Sequence, residues 1–291
     1  MPRGIPPLTQ RLIVAGNTIP VLGEAAVVGN GSELLLLDTL DLQGNCIRRI
    51  APGAFEGLSN LKTLNLSENA LGSIASDAFR DLSLLHTLCM NRALHQLPAE
   101  QLWTALDPRH LPNLTQIQLV GNQLRNLPED LPTSPKWEML DLRDNLLGRV
   151  GERTTSWLQQ HPSLKVYLSS NPFVCDCQLW PMYLWLKNTS QVGDKKKMTC
   201  HCPQPLNGTL LTQLTAEDFK CPEADAASYV FLGIVLALIG ATFLMVLYLN
   251  RKGIKRWASN FREACRDQME GYEYRYEHDS EPGVASVSAV V

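Results

Sequence analysis

The chain has 291 residues, of which 45% are hydrophobic, and this is enough apolar content for one or two packed domains. Its formal net charge of -3 provides no concentrated basic face of the kind that nucleic-acid binding requires, so we expect no nucleic-acid partner. The sequence contains no P-loop, no G-x-G-x-x-G after a strand, no H-E-x-x-H and no G-x-S-x-G. We therefore expect neither an enzyme nor a cofactor.

Residues 1–171 carry a recurring leucine pattern. Its clearest copy, LKTLNLSENAL at Leu61–Leu71, fits the leucine-rich repeat L-x-x-L-x-L-x-x-N-x-L. In this copy we expect a short strand with buried leucines, while Thr63, Asn65 and Ser67 face a concave surface. One copy alone could be an ordinary amphipathic strand. Six good copies at 23–29-residue spacing, with one doubled interval, instead favour an α/β solenoid of short parallel strands with an irregular or 3-10 convex side.

An asparagine stands at the same place in each good copy. We expect its side chain to turn the chain inward and to hydrogen-bond buried backbone groups of neighbouring turns, where no water reaches. Between copies, Ala54-Phe55 and Ala78-Phe79 recur at the same offset, and this phenylalanine is expected to line the convex side of the core. The repeat asparagines are Asn17, Asn45, Asn69, Asn122, Asn145 and Asn171.

The fourth copy, around Leu88, departs from the pattern because Ala93 stands where the asparagine belongs. A longer polar stretch follows at 92–110, and we expect it to form an irregular inset among the repeats. Three apolar residues within the inset keep helical spacing: Leu102, Trp103 and Leu106.

Residues 172–221 contain four cysteines directly after the last repeat, at Cys175, Cys177, Cys200 and Cys221. The end of a solenoid exposes apolar core and needs a cap, and we expect Trp180, Trp185 and Leu186 to cover it. The spacing of the four cysteines allows three disulfide connectivities. An alternative is a zinc site at Cys200-His201-Cys202, but adjacent ligands crowd a tetrahedral metal, so we expect none. The cysteines without an evident partner are Cys46, Cys89 and Cys202.

Five N-x-S/T sequons precede residue 228, and none follows it. This one-sided distribution indicates that the repeats lie outside the cell. The side chain of Asn65 is expected at the centre of the concave face, where a glycan would exclude partners and leave a lateral face, the convex face or the cap for docking. The expected glycosylation sites are Asn30, Asn65, Asn113, Asn188 and Asn207.

Residues 229–249, YVFLGIVLALIGATFLMVLYL, form an uncharged apolar stretch. As a helix this stretch is about 31 Å long, which matches the hydrocarbon core of a bilayer. The flanking charges are acidic before the stretch and basic after it, so we expect a single-pass type I protein with an extracellular N-terminus. The short link at 222–228 is expected to hold the repeats close to the membrane and to favour partners in the same bilayer.

The tail at 250–291 begins with a segment whose apolar residues, among them Ile254, Trp257 and Phe261, fall mostly on one helical face with basic residues beside it. A helix on the anionic inner leaflet of the lipid bilayer and a short solvated helix both fit this pattern. Cys265 is a candidate for palmitoylation. The C-terminal residues 288–291 resemble a ligand for a PDZ groove, although Ala289 lacks the hydroxyl that the commoner class of PDZ domains reads.

The run SYVFLGIVLALIGATFLMVLYLNRKGIKRW, continued by NFREACRDQMEGYEYRYEHD, closely resembles the trophoblast glycoprotein family and lies nearer to its "-like" branch. The resemblance extends to NPFVCDC and the repeats, and the inset at 92–110 is similar to one that divides the repeats of this family. It implies two disulfides in the flank, Cys175–Cys200 and Cys177–Cys221. It also implies a plasma-membrane glycoprotein that inhibits Wnt/β-catenin signalling through the low-density-lipoprotein-receptor-related co-receptor.

Two departures from the family pattern qualify this expectation. Family members begin with a signal peptide and an N-terminal cysteine cap, whereas this sequence opens at Ile5-Pro6-Pro7 inside the end of that cap, as expected for an incomplete gene model or a shortened isoform. Trophoblast glycoprotein also carries an aromatic residue two positions after the third flank cysteine, where this chain has Cys202. The alternative function is therefore an adhesion or cell-contact receptor without Wnt activity.

Overall fold

The computed structural model describes residues 4–28, 34–94, 96–129, 131, 136–219, 221, 226–262 and 266. The chain divides into two compact units, Met1–Cys221 and Pro222–Val291. The expectations for glycosylation of Asn30, palmitoylation of Cys265 and a PDZ ligand at 288–291 lie outside the described residues.

The first unit is a leucine-rich repeat solenoid built on very short strands. Seven of its strands form one parallel sheet in the order β1-β3-β5-β7-β8-β9-β10, and three form a second sheet in the order β2-β4-β6. The strands are β1 Arg11–Ile13, β2 Val21–Leu22, β3 Thr39–Asp41, β4 Arg49–Ile50, β5 Thr63–Asn65, β6 Ser73–Ile74, β7 Thr87–Cys89, β8 Gln116–Gln118, β9 Met139–Asp141, β10 Lys165–Tyr167, β11 Phe173–Val174 and β12 Cys200–Cys202.

The repeat period fixes the register of the larger sheet. Leu40 of β3 pairs with Leu64 of β5, and Leu64 pairs with Leu88 of β7. All three leucines are fully buried, because the middle residue of each strand points to the core while its two neighbours point to the other face. The leucine spacing thus builds a continuous ladder of apolar contacts through the stack.

The buried asparagines bond the turns to one another. The Nδ2 of Asn69 donates to the carbonyl oxygens of Leu42 in the preceding turn (3.0 Å) and Leu66 in its own turn (2.8 Å). Its Oδ1 accepts from the backbone N–H groups of Asn45 (3.0 Å) and Ile47 (2.9 Å). Asn69 therefore satisfies four backbone groups that have no access to water.

Asn17 differs from the expectation for a repeat asparagine. Its side chain is exposed and its Nδ2 bonds only the carbonyl oxygen of Ala15, in its own turn. The reason is its position in the stack: β1 is the edge strand of the larger sheet, and no preceding turn is described for Asn17 to bond. The backbone N–H of Asn17 instead donates to Oδ1 of Asn45 in the following turn.

The fourth turn keeps its place in the stack despite Ala93. Leu88 pairs in register with Ile117 of β8. The Oδ1 of Asn122 accepts from the N–H groups of Ala93 (2.8 Å) and Leu94 (3.0 Å), and its Nδ2 donates to the carbonyl oxygen of Met90. Asn122, in the fifth turn, therefore bonds the backbone of the fourth turn, which has no repeat asparagine of its own.

The segments opposite the larger sheet are mostly irregular, as expected, and they include two α-helices. These are α1 Ala99–Ala105 and α2 Glu152–Gln160. The polar inset forms α1 and buries Leu102, Trp103 and Ala105, so it contributes to the core. Two fully buried phenylalanines, Phe55 and Phe79, stack with their ring centroids 5.7 Å apart and continue the core between turns.

The end of the solenoid is closed by helix α3, Trp180–Asn188, and by the two-stranded sheet of β11 and β12. Helix α3 buries Trp185 and Leu186, and the half-buried Trp180 packs against the core. Short 3-10 helices complete the cap at Cys177–Leu179, Lys195–Lys197, Gln204–Leu206, Leu211–Gln213 and Ala216–Phe219.

The second unit contains helix α4, Ala226–Leu249, which is long and apolar enough to cross a membrane. Its most apolar window, Leu232–Leu249, has a mean hydropathy of 2.5 and is not buried by protein. An apolar helix that packs against nothing is typical of a lipid-facing segment. A further helical run covers 251–262.

We expect Asn69→Ala to destabilise the first unit by about 3 kcal/mol or more, because it leaves buried backbone groups of two turns without partners. Asn17→Ala is the matched control. It removes one exposed hydrogen bond and should cost less than about 1 kcal/mol. Guanidinium chloride unfolding of the chain in detergent micelles, followed by tryptophan fluorescence, measures both values. Equal effects of the two substitutions would contradict the role assigned to Asn69.

Candidate functional site

The concave face of the first unit is a polar surface made by the outward residues of the strands. A shallow depression of about 370 Å³ lies near its centre. Its walls come from consecutive turns, so the period of the repeats places their side chains in rows across the face. The residues that line the depression are Gln43, Asn65, Ser67, Glu68, Cys89, Asn91, Arg92, Gln118, Val120, Asp141 and Arg143.

An ion pair between the half-exposed Arg143 and the buried Asp141 marks the C-terminal side of this depression. The side chain of Arg143 donates to both carboxylate oxygens of Asp141, through Nε at 2.9 and 3.1 Å and through Nη2 at 2.5 Å. The hydrogen bonds with Asp141 raise the pKa of Arg143. The guanidinium carbon also lies 5.5 Å from the ring centroid of Tyr167 in the next turn, a distance that permits a cation–π contact. These contacts hold the guanidinium of Arg143 in one orientation on the face.

Cys89 is half-buried in the middle of the depression and makes no disulfide. Burial raises the pKa of its thiol, and the negative charge of Asp41 raises it further. Because the thiolate is the reactive form of cysteine, this environment disfavours nucleophilic chemistry. Cys89 therefore contributes a small side chain to the concave face and is not expected to act as a nucleophile.

Asn65 lies on the concave face and is half-buried, and both its amide nitrogen and its amide oxygen make hydrogen bonds. Its Nδ2 donates to Oδ1 of Asp41 (3.0 Å) and Oε1 of Gln43 (3.3 Å), and its Oδ1 accepts from the N–H of Ser67. Both hydrogens of Nδ2 are thus directed at acceptors of the preceding turn. A glycan on this nitrogen would break one of the two bonds and would require the side chain of Asp41 or Gln43 to move aside.

The other described sequons lie away from the concave face. Asn188 is the last residue of α3 and is exposed. Asn207 is also exposed and lies in the cap. The side chain of Asn113 is on the loop before β8, where it bonds the carbonyl oxygen of Ser83 in the preceding turn. The structure thus distributes the four described sequons over three different surfaces of the first unit.

The cap contains two disulfides, Cys175–Cys200 and Cys177–Cys221. Cys200 is bonded to Cys175 and is not free to ligate zinc, which removes one of the three ligands of the alternative zinc site. Cys202 makes no disulfide, and its side chain is exposed on β12. Cys202 stands where trophoblast glycoprotein has an aromatic residue, so a side chain at this position faces solvent.

Two polar residues that the repeat pattern does not identify join the cap to the last turn. The carboxylate of Asp194 accepts from the N–H groups of Leu168 and Ser169, at 2.8–3.1 Å. The buried side chain of Gln191 donates to the carbonyl oxygens of Leu158 and His161 and accepts from the indole of Trp185. They supply the partners that another repeat would have provided, and no motif in the sequence signals this role.

Among the residues that the structure describes, no three histidine, cysteine, aspartate or glutamate side chains are grouped to hold a metal ion. The ion pairs and amides of the concave face are hydrogen-bonded to one another and to the backbone. A broad polar face of this kind can bind another protein through many weak contacts.

The family model described as "Leucine rich repeat" matches residues 36–92. Trophoblast glycoprotein-like from Mus musculus is 44% identical over an alignment that covers 99% of this chain and 82% of the mouse protein. Trophoblast glycoprotein from Macaca fascicularis is 45% identical over 62% of this chain, and the match spans only 44% of the macaque protein. The similarity to the "-like" protein thus extends through both units of the chain.

A solved structure supports the same relationship. The crystal structure of human 5T4, described as "Wnt-activated inhibitory factor 1, Trophoblast glycoprotein", superposes with a TM-score of 0.61 at 30% sequence identity. The superposition covers 76% of this chain and 91% of the human one. With its repeats, its disulfide-linked cap and its apolar helix α4, the chain belongs to the trophoblast glycoprotein family of leucine-rich repeat proteins.

Proposed function

We propose that the chain is a cell-surface glycoprotein that binds other membrane proteins and acts as a negative regulator of Wnt/β-catenin signalling. The observation that carries this proposal is the similarity to trophoblast glycoprotein-like over 99% of the chain. The human 5T4 structure adds support, because that protein is called a Wnt-activated inhibitory factor. The Wnt co-receptor is the proposed partner.

The proposed location is the plasma membrane, with the repeats outside the cell. Helix α4 supplies the membrane span, and the basic residues that follow it favour a cytoplasmic C-terminus. Only residues 222–225 separate Cys221, which is fixed in a disulfide, from the first residue of α4. So short a link, at most about 14 Å when extended, suits a partner anchored in the same membrane.

We place the docking surface on the cap in preference to the concave face. A glycan at Asn65 would stand beside the central depression and exclude a partner from it. The cap offers the exposed strand residues His201 and Cys202, held in place by the Cys175–Cys200 disulfide. A rigid surface lowers the ordering cost of association.

The exposed thiol at Cys202 favours a second candidate function. Trophoblast glycoprotein has an aromatic side chain at this position, and aromatic residues supply much of the binding energy of protein interfaces. If that residue contacts the co-receptor, this chain binds it more weakly and acts instead as an adhesion or cell-contact receptor.

A β-catenin-responsive reporter in Wnt-stimulated cells tests the proposed function. We expect expression of the chain to lower the reporter signal, and Cys202→Phe to lower it further, because the new ring occupies an exposed position and can bury area in an interface. Gln204→Phe is the control, since it places the same ring on a neighbouring exposed position. An unchanged reporter for both the chain and Cys202→Phe, with clustering of the expressing cells, would support the adhesion function instead.

Glycopeptide mass spectrometry tests the proposed docking surface. We expect peptides that contain Asn65 to carry a glycan when the chain is purified from mammalian cells, because Asn65 begins an N-x-S sequon in the proposed extracellular unit and is only half-buried. Asn65→Gln removes the sequon and controls for the peptide assignment. A fully unmodified Asn65 would contradict the exclusion of partners from the concave face.

A further inference from the structure

The helical run that follows α4 has an apolar face and a basic face. Its apolar side chains recur three to four residues apart, whereas its basic side chains begin beside them and extend to the far side of the helix at about 100° per residue. We call these the aromatic face and the basic face. The aromatic face consists of Ile254, Trp257 and Phe261, and the basic face consists of Arg251, Lys252, Lys255, Arg256, Arg262 and Arg266.

The aromatic face is exposed in the part of the chain that the structure describes. Trp257 is 68% exposed and Phe261 is 60% exposed, although their rings stack on each other with centroids 5.5 Å apart. Such a pair of large aromatic side chains in water is unfavourable unless another surface covers it. The aromatic face therefore requires an occupant.

The basic face indicates that the surface covering the aromatic face is negatively charged. Lys255, Arg262 and Arg266 line one open depression of about 460 Å³ together with Ala258 and Ser259. Residues 251–262 contain no aspartate or glutamate that could neutralise them. A second copy of the same helix would bring the same positive charges, so self-association through this segment is electrostatically disfavoured. The charge complement is an anionic surface.

The position of the run places such a surface within reach. At 1.5 Å per residue, a straight continuation of α4 carries Trp257 about 12 Å past Leu249, beyond the interfacial zone of about 5–7 Å at the edge of a bilayer. Trp257 reaches that zone only if the run tilts away from the axis of α4. Such a tilt would bring the aromatic face onto the bilayer that α4 is long and apolar enough to cross.

Asn250 and Gly253 mark the place where the run can tilt. Asn250 is a turn residue between α4 and 251–262, although backbone hydrogen bonds from Asn250 to Val246 (2.9 Å) and from Ile254 to Asn250 (3.0 Å) continue across it. A Cβ on Gly253 would lie 2.9 Å from Oδ1 of Asn250, so a larger residue there would require the Asn250 side chain to move. Glycine also weakens a helix locally.

We propose that residues 251–262, together with Arg266, form a membrane-surface module that lies on the anionic leaflet next to α4. Trp257 and Phe261 enter the interface between headgroups and acyl chains, and the basic face binds the phosphate and carboxylate groups of anionic phospholipids. Aromatic insertion and electrostatic attraction act together in this arrangement. Arg251, whose guanidinium carbon lies 5.0 Å from the ring centroid of Tyr248, begins the basic face at the end of the span.

The test uses the full chain in two kinds of nanodisc, one of phosphatidylcholine and one with about 30% phosphatidylserine. Brominated phospholipid quenches tryptophan that enters the bilayer. The contribution of Trp257 is obtained as the difference between the chain and Trp257→Phe, which keeps an aromatic ring at the site. We expect this contribution to be quenched at least about threefold more in the anionic nanodiscs.

A pair of matched double variants tests the role of charge. Arg262→Gln with Arg266→Gln should return quenching in the anionic nanodiscs to the phosphatidylcholine value. Lys196→Gln with Lys197→Gln removes the same charge from two exposed residues of the cap and should leave quenching unchanged. Equal quenching in both lipids, no quenching in either, or equal effects of the two double variants would overturn the proposal.

Discussion

The buried backbone of each repeat needs a hydrogen-bond partner, and this need governs the first unit. Strands of three residues supply few ladder bonds, so the turns between them depend on side chains. Asn45, Asn69, Asn122, Asn145 and Asn171 provide these bonds, each donating to carbonyl oxygens of the preceding turn. Because each asparagine bonds the turn before it, the stack is stabilised by contacts between neighbouring turns rather than by one central core.

The same requirement explains the cap. After Asn171 no further repeat follows, and the free N–H groups of Leu168 and Ser169 bond the carboxylate of Asp194. Two disulfides hold the loops of the cap, and cross-links over 25 and 44 residues reduce the conformational entropy of the unfolded segment. A cap fixed in this way offers a rigid surface next to the short link to α4, which suits the proposed recognition of another membrane protein.

Much of this fold follows from the sequence, since leucine spacing and asparagine position are local signals that repeat. They predicted the strands, the buried phenylalanines and an apolar helix long enough for a bilayer. They did not predict helix α2, because its run ERTTSWLQQ has few apolar residues and its burial depends on packing. Asp194 and Gln191 were also missed. Both bond backbone groups 25–33 positions earlier in the chain, and a single sequence contains no signal for such pairs.

The central claim is that α4 displays a hydrogen-bonded stack of repeats outside the cell and leaves the basic run inside. Labelling of expressing cells with a membrane-impermeant maleimide, followed by peptide mass spectrometry, tests it most directly. Cys202 is exposed on the cap, and Cys265 follows α4 in the sequence. The account predicts label on Cys202 in intact cells and on Cys265 only after permeabilisation. Label on Cys265 in intact cells, with Cys202 protected until permeabilisation, would contradict it.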